Sequence, residues 1–281
     1  MSSRTPKFWM YKLNTLENHA TFVSYNCVNC RRYWQEEFRI VPGPVCILNS
    51  YIPSQCGAKF GFQDPVIHLP MTDNYASPRV YDIRQLFNQT FEDPSGDPNT
   101  NAHSVPGPFT LALNFDGVDD RITIANADYS QWCNIDQDFT IVILAKGNSI
   151  GSTVNLRILS NSDWNVNGFF VAYVNNIYRV RILFYANGSP HATYHDFAGP
   201  IDGNWHQFAI SRFNNTVSLY MDATLGISDT DPLNNAPAFN STYPLYLAFR
   251  PSANTYTPCD LADFRFYNRA LTIDELETLL P

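Results

Sequence analysis

The chain has 281 residues and a formal net charge of −8; nine of its eighteen basic and nine of its twenty-six acidic side chains lie in residues 1–108, so the excess negative charge falls beyond them. A surface of that sign with no basic stripe argues against nucleic acid as a partner, and no run approaches the roughly eighteen apolar residues of a membrane-spanning helix. Aromatic residues make up 15% of the chain, which with scattered Pro and Gly fits an all-β protein rich in turns.

The first twenty residues hold no continuous apolar stretch of the secretory type, so no signal peptide is expected. ATFVSYNC, EEFRIV and PVCILNSYI are short, β-branched and aromatic, and read as strands, with Pro42-Gly43-Pro44 as a turn. Cys27, Cys30, Cys46 and Cys56 fall in this part. Only the first pair has zinc-knuckle spacing and no His lies between Cys27 and Cys56, so free thiols, disulfides and a zinc site all remain open. Further on, Ser77 is an N-cap candidate with Pro78 at the first helical position, and Val80, Ile83, Leu86 and Phe87 share one face, which predicts a helix over 77–87. The following Pro, Gly, Asn, Asp and Ser residues can bury little and predict a linker over 91–106. The expected organisation is a small β-rich module over 1–90, the linker, and a larger domain over 107–281.

Beyond the linker the pattern becomes regular. LALNF alternates Leu111, Leu113 and Phe115 on one face, and RITI repeats this with Ile122 and Ile124. FTIVILAKG is apolar on both faces, as a central strand of a sandwich would be. NGFFVAYV, YRVRILFYANG, NWHQFAISRF, TVSLYMD, YPLYLAFR and LADFRFYN continue the series, separated by Asn/Asp/Gly turns. So many antiparallel strands predict a β-sandwich of jelly-roll type. The chain closes with ALTIDELETLLP, where Thr272 and Glu275 form a capping box and Leu271 and Leu276 a hydrophobic staple on one short helix.

LNFDGVDDRITI near the start of this domain, DGNWHQFAISRFNNTVSLYMDATL in its second half and DLADFRFYNRALTIDELETLL at its end occur in an order that resembles the laminin-G-like jelly roll of the concanavalin A-like lectin/glucanase superfamily. The resemblance spans about residues 107–281. One departure is Ala223, where the family usually has glycine after Asp222. The resemblance implies the fold far more than any activity, because this fold serves lectins, adhesion modules and hydrolases alike. In the N-terminal part, Tyr25-Asn26-Cys27 followed by Val41-Pro42-Gly43 and Cys46 resembles small β-modules of tail-fibre and other virion proteins of tailed bacteriophages.

Four chemistries compete. Glycoside hydrolysis needs two carboxyl groups flanking the bond, yet residues 109–281 contain only Glu275 and Glu277, both on the terminal helix. His191, His195 and His206 have no nucleophile-elbow partner and read as ordinary strand residues. A calcium ion would want several oxygens, which Asp116, Asp119 and Asp120 offer in one turn, with Asp263 and Asn268 added if the first hairpin and the last strand meet. The competing reading is a bare Asp-Gly hairpin turn. Glycan binding would use exposed aromatics beside Asn and Asp; Trp164 with Asn165 and Asn167, and Tyr194 and Tyr243, are the loop candidates.

The expectation is therefore a non-enzymatic, virion-associated structural or adhesion protein of a bacteriophage. The N-terminal module would attach to other virion proteins, the chain would form a homo-oligomer, and the jelly roll would present a surface to host glycans. A free-standing lectin is the alternative, and a carbohydrate-active hydrolase a more distant one.

Overall fold

The computed structural model describes the backbone of residues 7–13 and 20–26, and residues 65–132, 137–147, 155–161, 168–175, 177–186, 189–197, 202–214, 216–230 and 244–281. The chain divides into two compact units, Met1–Phe62 and Gln63–Pro281. In the first, β1 (Lys7–Leu13) and β2 (Ala20–Asn26) form an antiparallel pair in which Lys7 faces Asn26 and Leu13 faces Ala20. The strand expected at ATFVSYNC is β2. The segments EEFRIV and PVCILNSYI, and the four cysteines, lie outside the described residues.

The second unit opens with β3 (Ile67–Leu69), β4 (Arg79–Val80), β5 (Gln89–Glu92), α1 (Thr100–His103), β6 (Ser104–Pro106), β7 (Leu111–Phe115), β8 (Arg121–Ile124) and α2 (Asn126–Tyr129). It continues through β9 (Phe139–Gly147), β10 (Leu156–Ser160), β11 (Gly168–Val174), β12 (Ile177–Ala186), β13 (Ser189–Phe197) and β14 (Trp205–Phe213). It ends with β15 (Thr216–Met221), β16 (Thr224–Thr230), β17 (Leu245–Leu247), β18 (Phe249–Arg250), β19 (Thr255–Tyr256), β20 (Cys259–Tyr267) and α3 (Ile273–Glu277).

Apart from the short β18–β19 pair, these strands build two antiparallel sheets. One runs β13-β12-β11-β10-β17-β8-β5-β4, the other β16-β15-β14-β9-β20-β7-β6 with β3 also on β20. The period-2 side chains of each sheet meet between them: Leu113 and Phe115, Ile141 and Ile143, and Phe264 and Phe266 join Ile122, Ile124, Phe169, Val171, Leu245 and Leu247 in one buried core. β9 is apolar on both faces for a visible reason. Ile141 and Ile143 face that core, while Val142 packs with Ala209, Tyr267 and Leu276 in a second cluster under α3. The capping box of α3 is present in both directions between Thr272 and Glu275, and Leu271 and Leu276 share the cluster the helix covers.

Two expectations are corrected here. Residues 77–87 form no helix; they hold only the two-residue β4 and turns. The buried carboxylate of Asp82 accepts from the backbone N–H groups of His68 (2.8 Å), Arg84 (3.1 Å) and Leu86 (3.2 Å), and its own N–H is taken by Asn88 Oδ1 at 3.0 Å. A side chain that captures local N–H groups competes directly with helical bonding, and Ile83 and Leu86 are left exposed.

Nor are residues 91–106 a linker. Phe91 on β5 is fully buried, pairs with Ile122 of β8 and packs 5.0 Å from Phe115, and β6 pairs along β7. Fully buried Thr100 bonds the backbone of Tyr75. The polar residues between them turn the chain through Asp side-chain bonds, Gly96 N to Asp93 Oδ1 (2.7 Å) and Asn99 N to Asp97 Oδ1 (3.1 Å). Residues 65–106 thus belong to the jelly-roll unit, and the division falls at 62/63.

Asp82→Ala removes the side-chain acceptor of three backbone N–H groups at a buried position. We expect a loss of about 3 kcal/mol of unfolding free energy in urea titration, with Asp82→Asn losing less.

Candidate functional site

The segment Asp116–Asp120 connects β7 in one sheet to β8 in the other, and among the described residues these strands share no ladder. It is an arch between sheets rather than the expected hairpin turn, because Phe115 and Ile122 must both enter the core from opposite sides. Gly117 has φ +82° and sits against Pro258, where an added Cβ would come within 2.5 Å of the ring. Inside the arch, Asp116 N donates to Asp120 Oδ2 at 2.8 Å and Val118 N to Asp116 Oδ1 at 2.7 Å. Oxygens of Asp116, Asp119 and Asp120 all lie within 4.8 Å of one another.

Asp120 is 1% exposed. Burial foremost, with the neighbouring Asp116 and Asp93 charges adding and the Asp116 N–H and His103 opposing, pushes its pKa up to about 6. Two further residues, absent from the sequence reading because they sit in the supposed linker, face it. His103 Nδ1 is 3.7 Å from Asp120 Oδ2, and His103 Nε2 is 3.4 Å from Asp93 Oδ2. The imidazole lies on Phe91, centroids 4.2 Å apart.

Asp263 and Asn268 do not join this group. The Asp263 carboxylate is taken by His68 Nε2 (2.7 Å) and by Arg265 Nε (2.9 Å). Burial alone would raise its pKa, but the His68 and Arg265 bonds outweigh that and lower it. Asn268 is exposed just past β20, nine residues and so roughly 30 Å of strand from the Cys259 end that meets β7.

Of the glycan candidates, Trp164, Asn165, Asn167 and Tyr243 lie outside the described residues. Tyr194 on β13 is 52% exposed, and the Arg179 guanidinium sits 5.1 Å from its ring centroid while making a two-pronged ion pair with Asp196. A second exposed aromatic pair escaped the sequence reading. Tyr75 and Tyr81 meet edge-on at 5.8 Å, and their backbones are anchored by Thr100 and Asp73. Their hydrophobic neighbours had read as one face of a helix.

His206, read from sequence as an ordinary strand residue, is held between two carboxylates. Nδ1 meets Asp222 Oδ2 at 2.7 Å and Nε2 meets Asp202 Oδ1 at 3.1 Å. A protonated ring donates from both nitrogens, one to each carboxylate. The Asp222 bond first, then Asp202, raises the His206 pKa against burial. Asp222 and Ala223 both have positive φ, 51° and 55°, so the turn where the family usually has glycine is of the I′ kind despite Ala223. Glu275, one of the only two glutamates beyond residue 108, is committed to Arg269 at 2.9 and 2.8 Å and to the α3 cap.

Two face-to-face antiparallel sheets, closed by a capped helix and edged with exposed tyrosines, define a lectin-type jelly roll. Residues 116–277 match the model of the concanavalin A-like lectin/glucanases superfamily, and the chain belongs to that superfamily. Among curated proteins no relative matches. Similar solved structures include the binding domain of Paraclostridial Mosquitocidal Protein 1, with a TM-score of 0.55 and 17% identity over 75% of this chain and 51% of that one. The binding domain of botulinum neurotoxin serotype G gives 0.56 and 14% over 77% and 50%. That of botulinum neurotoxin DC in complex with SialylT gives 0.54 and 13% over 77% and 51%. The chain spans about half the length of these structures, and the likeness is one of fold. No described helix is long and apolar enough to cross a membrane.

The His206 pair gives a pH prediction. A histidine with a raised folded pKa contributes stability fully below its unfolded pKa of about 6.5, and this is lost as pH rises through the higher folded value. Melting temperature should therefore fall as pH rises above about 6.5, and His206→Gln should flatten that part of the profile.

Proposed function

We propose that the jelly roll is a non-enzymatic carbohydrate-binding module. The observation that carries this reading is Tyr194, a half-exposed ring on the edge strand β13, backed by Arg179 and flanked by Asp196. An aromatic face with adjoining charged groups is the surface that stacks on a sugar ring and bonds its hydroxyls. The superfamily membership supports it, as does the structural likeness to a toxin binding domain in complex with SialylT. The commitment of Glu275 to Arg269 leaves that carboxylate to the helix cap rather than to acid–base chemistry.

The biological setting we propose is a virion-associated adhesion protein of a bacteriophage. In it the Met1–Phe62 unit attaches to other virion proteins and the jelly roll faces host-surface glycans. Support for this setting is the resemblance of the N-terminal residues to virion modules and the separateness of that unit. A homo-oligomer would multiply weak single-site contacts through avidity.

On a glycan array the purified chain should bind a defined set of sugars, and Tyr194→Ala should weaken binding about tenfold, which corresponds to roughly 1.4 kcal/mol. Retained binding in that variant would move the site elsewhere, and an array with no binding would leave the jelly roll as a spacer. Incubation with the bound polysaccharide should release no shorter products; turnover would overturn the non-enzymatic reading.

A further inference from the structure

We propose that Asp93, His103 and Asp120 form a divalent-cation site at the base of the β7–β8 arch, selective for ions that accept mixed imidazole and carboxylate ligands, Mn2+ or Zn2+, over Ca2+. The proposal is independent of glycan binding. Each of the three residues offers one ligand atom, and these atoms lie within 4.8 Å of one another.

The imidazole is presented as a ligand. His103 Nε2 lies 2.7 Å from the carbonyl oxygen of Asp97, which can only accept, so Nε2 carries the proton. When the ring is neutral this bond selects the tautomer that leaves Nδ1 free to ligate, and Nδ1 stands 3.7 Å from Asp120 Oδ2. Fixing the far ring N–H on a backbone carbonyl is the arrangement by which proteins orient metal-binding histidines.

The second observation is independent of the first. Asp120 is 1% exposed, yet its Oδ1 accepts no hydrogen bond, and Asp119 Oδ1 is likewise buried without a partner. Leaving a buried carboxylate oxygen unsatisfied is costly. Among the described residues no lysine or arginine pairs with Asp93, Asp116, Asp119 or Asp120. The third ligand is also placed. Asp93 is held by the Gly96 N–H at 2.7 Å, and a Cβ on residue 96 would stand 2.3 Å from Asp93 Oδ2, so the glycine leaves the carboxylate its room.

Carboxylates alone would suit Ca2+ and Mg2+, whereas imidazole shifts preference toward first-row transition ions. Mn2+ is the probe of choice, because soft thiolates, which Cys27, Cys30, Cys46 and Cys56 could supply, favour Zn2+. The test uses the full, tag-free, chelator-stripped chain titrated with MnCl2 and followed by loss of the free Mn2+ paramagnetic resonance signal and by melting temperature. We expect one Mn2+ per chain, a raised melting temperature, and little displacement by a tenfold excess of Ca2+. His103→Gln keeps a planar side chain with an N–H for the Asp97 carbonyl; it should weaken Mn2+ at least tenfold, whereas Asp116→Asn should not. Gly96→Ala, which crowds Asp93 without removing a ligand, should weaken it less.

No Mn2+ uptake by the unmodified chain would overturn the proposal, leaving His103 as a protonated counter-ion of Asp120, and this measurement does not depend on any variant folding. A response to Ca2+ that survives in His103→Gln and is lost in Asp116→Asn would overturn it in favour of an all-oxygen site on Asp116, Asp119 and Asp120.

Discussion

β20 has to serve two partners on one edge. Its first residues, Cys259 to Leu261, pair with β7, and its later ones, Phe264 to Phe266, pair with β3, while its other edge runs along β9 throughout. The handover falls at Asp263, where the register along β9 shifts and the backbone enters the left-handed region at φ 52°. A non-glycine residue there is unfavourable, and it is held by bonds on every side. Its N–H reaches the Pro70 carbonyl, and its carboxylate takes His68 from β3 and Arg265 from its own strand. The β3 segment is thereby locked to the last strand, which is why residues far ahead of the family match are part of the same unit.

From that node the rest of the sandwich follows. With β7 fixed beside β20, the chain must cross to the other sheet to place β8 against β5 and β17, and the Asp116–Asp120 arch is that crossing. The crossing is tight. Gly117 packs on Pro258 immediately before β20 begins, so the arch is clamped from the strand that also sets the register of β7. The last aspartate of the arch, Asp120, is consequently buried at the end of the core, where it meets residues delivered by β5 and α1, while Asp116 stays exposed.

Much of this was legible in the sequence because it depends on local period. LALNF, RITI and FTIVILAKG announce their faces by alternation, and the last helix announces itself by Thr272, Glu275 and Leu276. Residues 77–106 were not legible because their structure is decided by distant pairing and by single polar side chains. The spacing of Val80, Ile83, Leu86 and Phe87 matches a helix, but the Asp82 carboxylate takes the N–H groups a helix would use. A composition that resembles a linker hides Phe91 and Thr100, two residues that suffice to seat the segment on the sheet. The same misreading removed His103 from view, so the aspartates of the arch were grouped with Asp263 and Asn268 instead. Sequence order alone could not tell that Asp263 was already committed to a strand handover.

The placement of the carboxylates also bears on what chemistry the sandwich can host. Glycoside hydrolysis needs one carboxyl kept protonated near neutral pH and a second within about 5–10 Å, both reaching a sugar. Asp120 comes nearest to the first condition, since burial raises its pKa to about 6. It fails the last, because at 1% exposure, with the arch around it, no ring can approach its oxygens. Asp260 is tied to Lys146 and Asn114, Glu92 to Arg121 and Thr123, and Glu275 to Arg269. Among the described residues the exposed tyrosines Tyr75, Tyr81 and Tyr194 have an edge-on ring or a cation beside them, and their neighbouring acids Asp73 and Asp196 are bonded to the Tyr81 N–H and to Arg179. A sugar stacked there would meet ring faces and charged side chains suited to holding it, in keeping with the binding module proposed above.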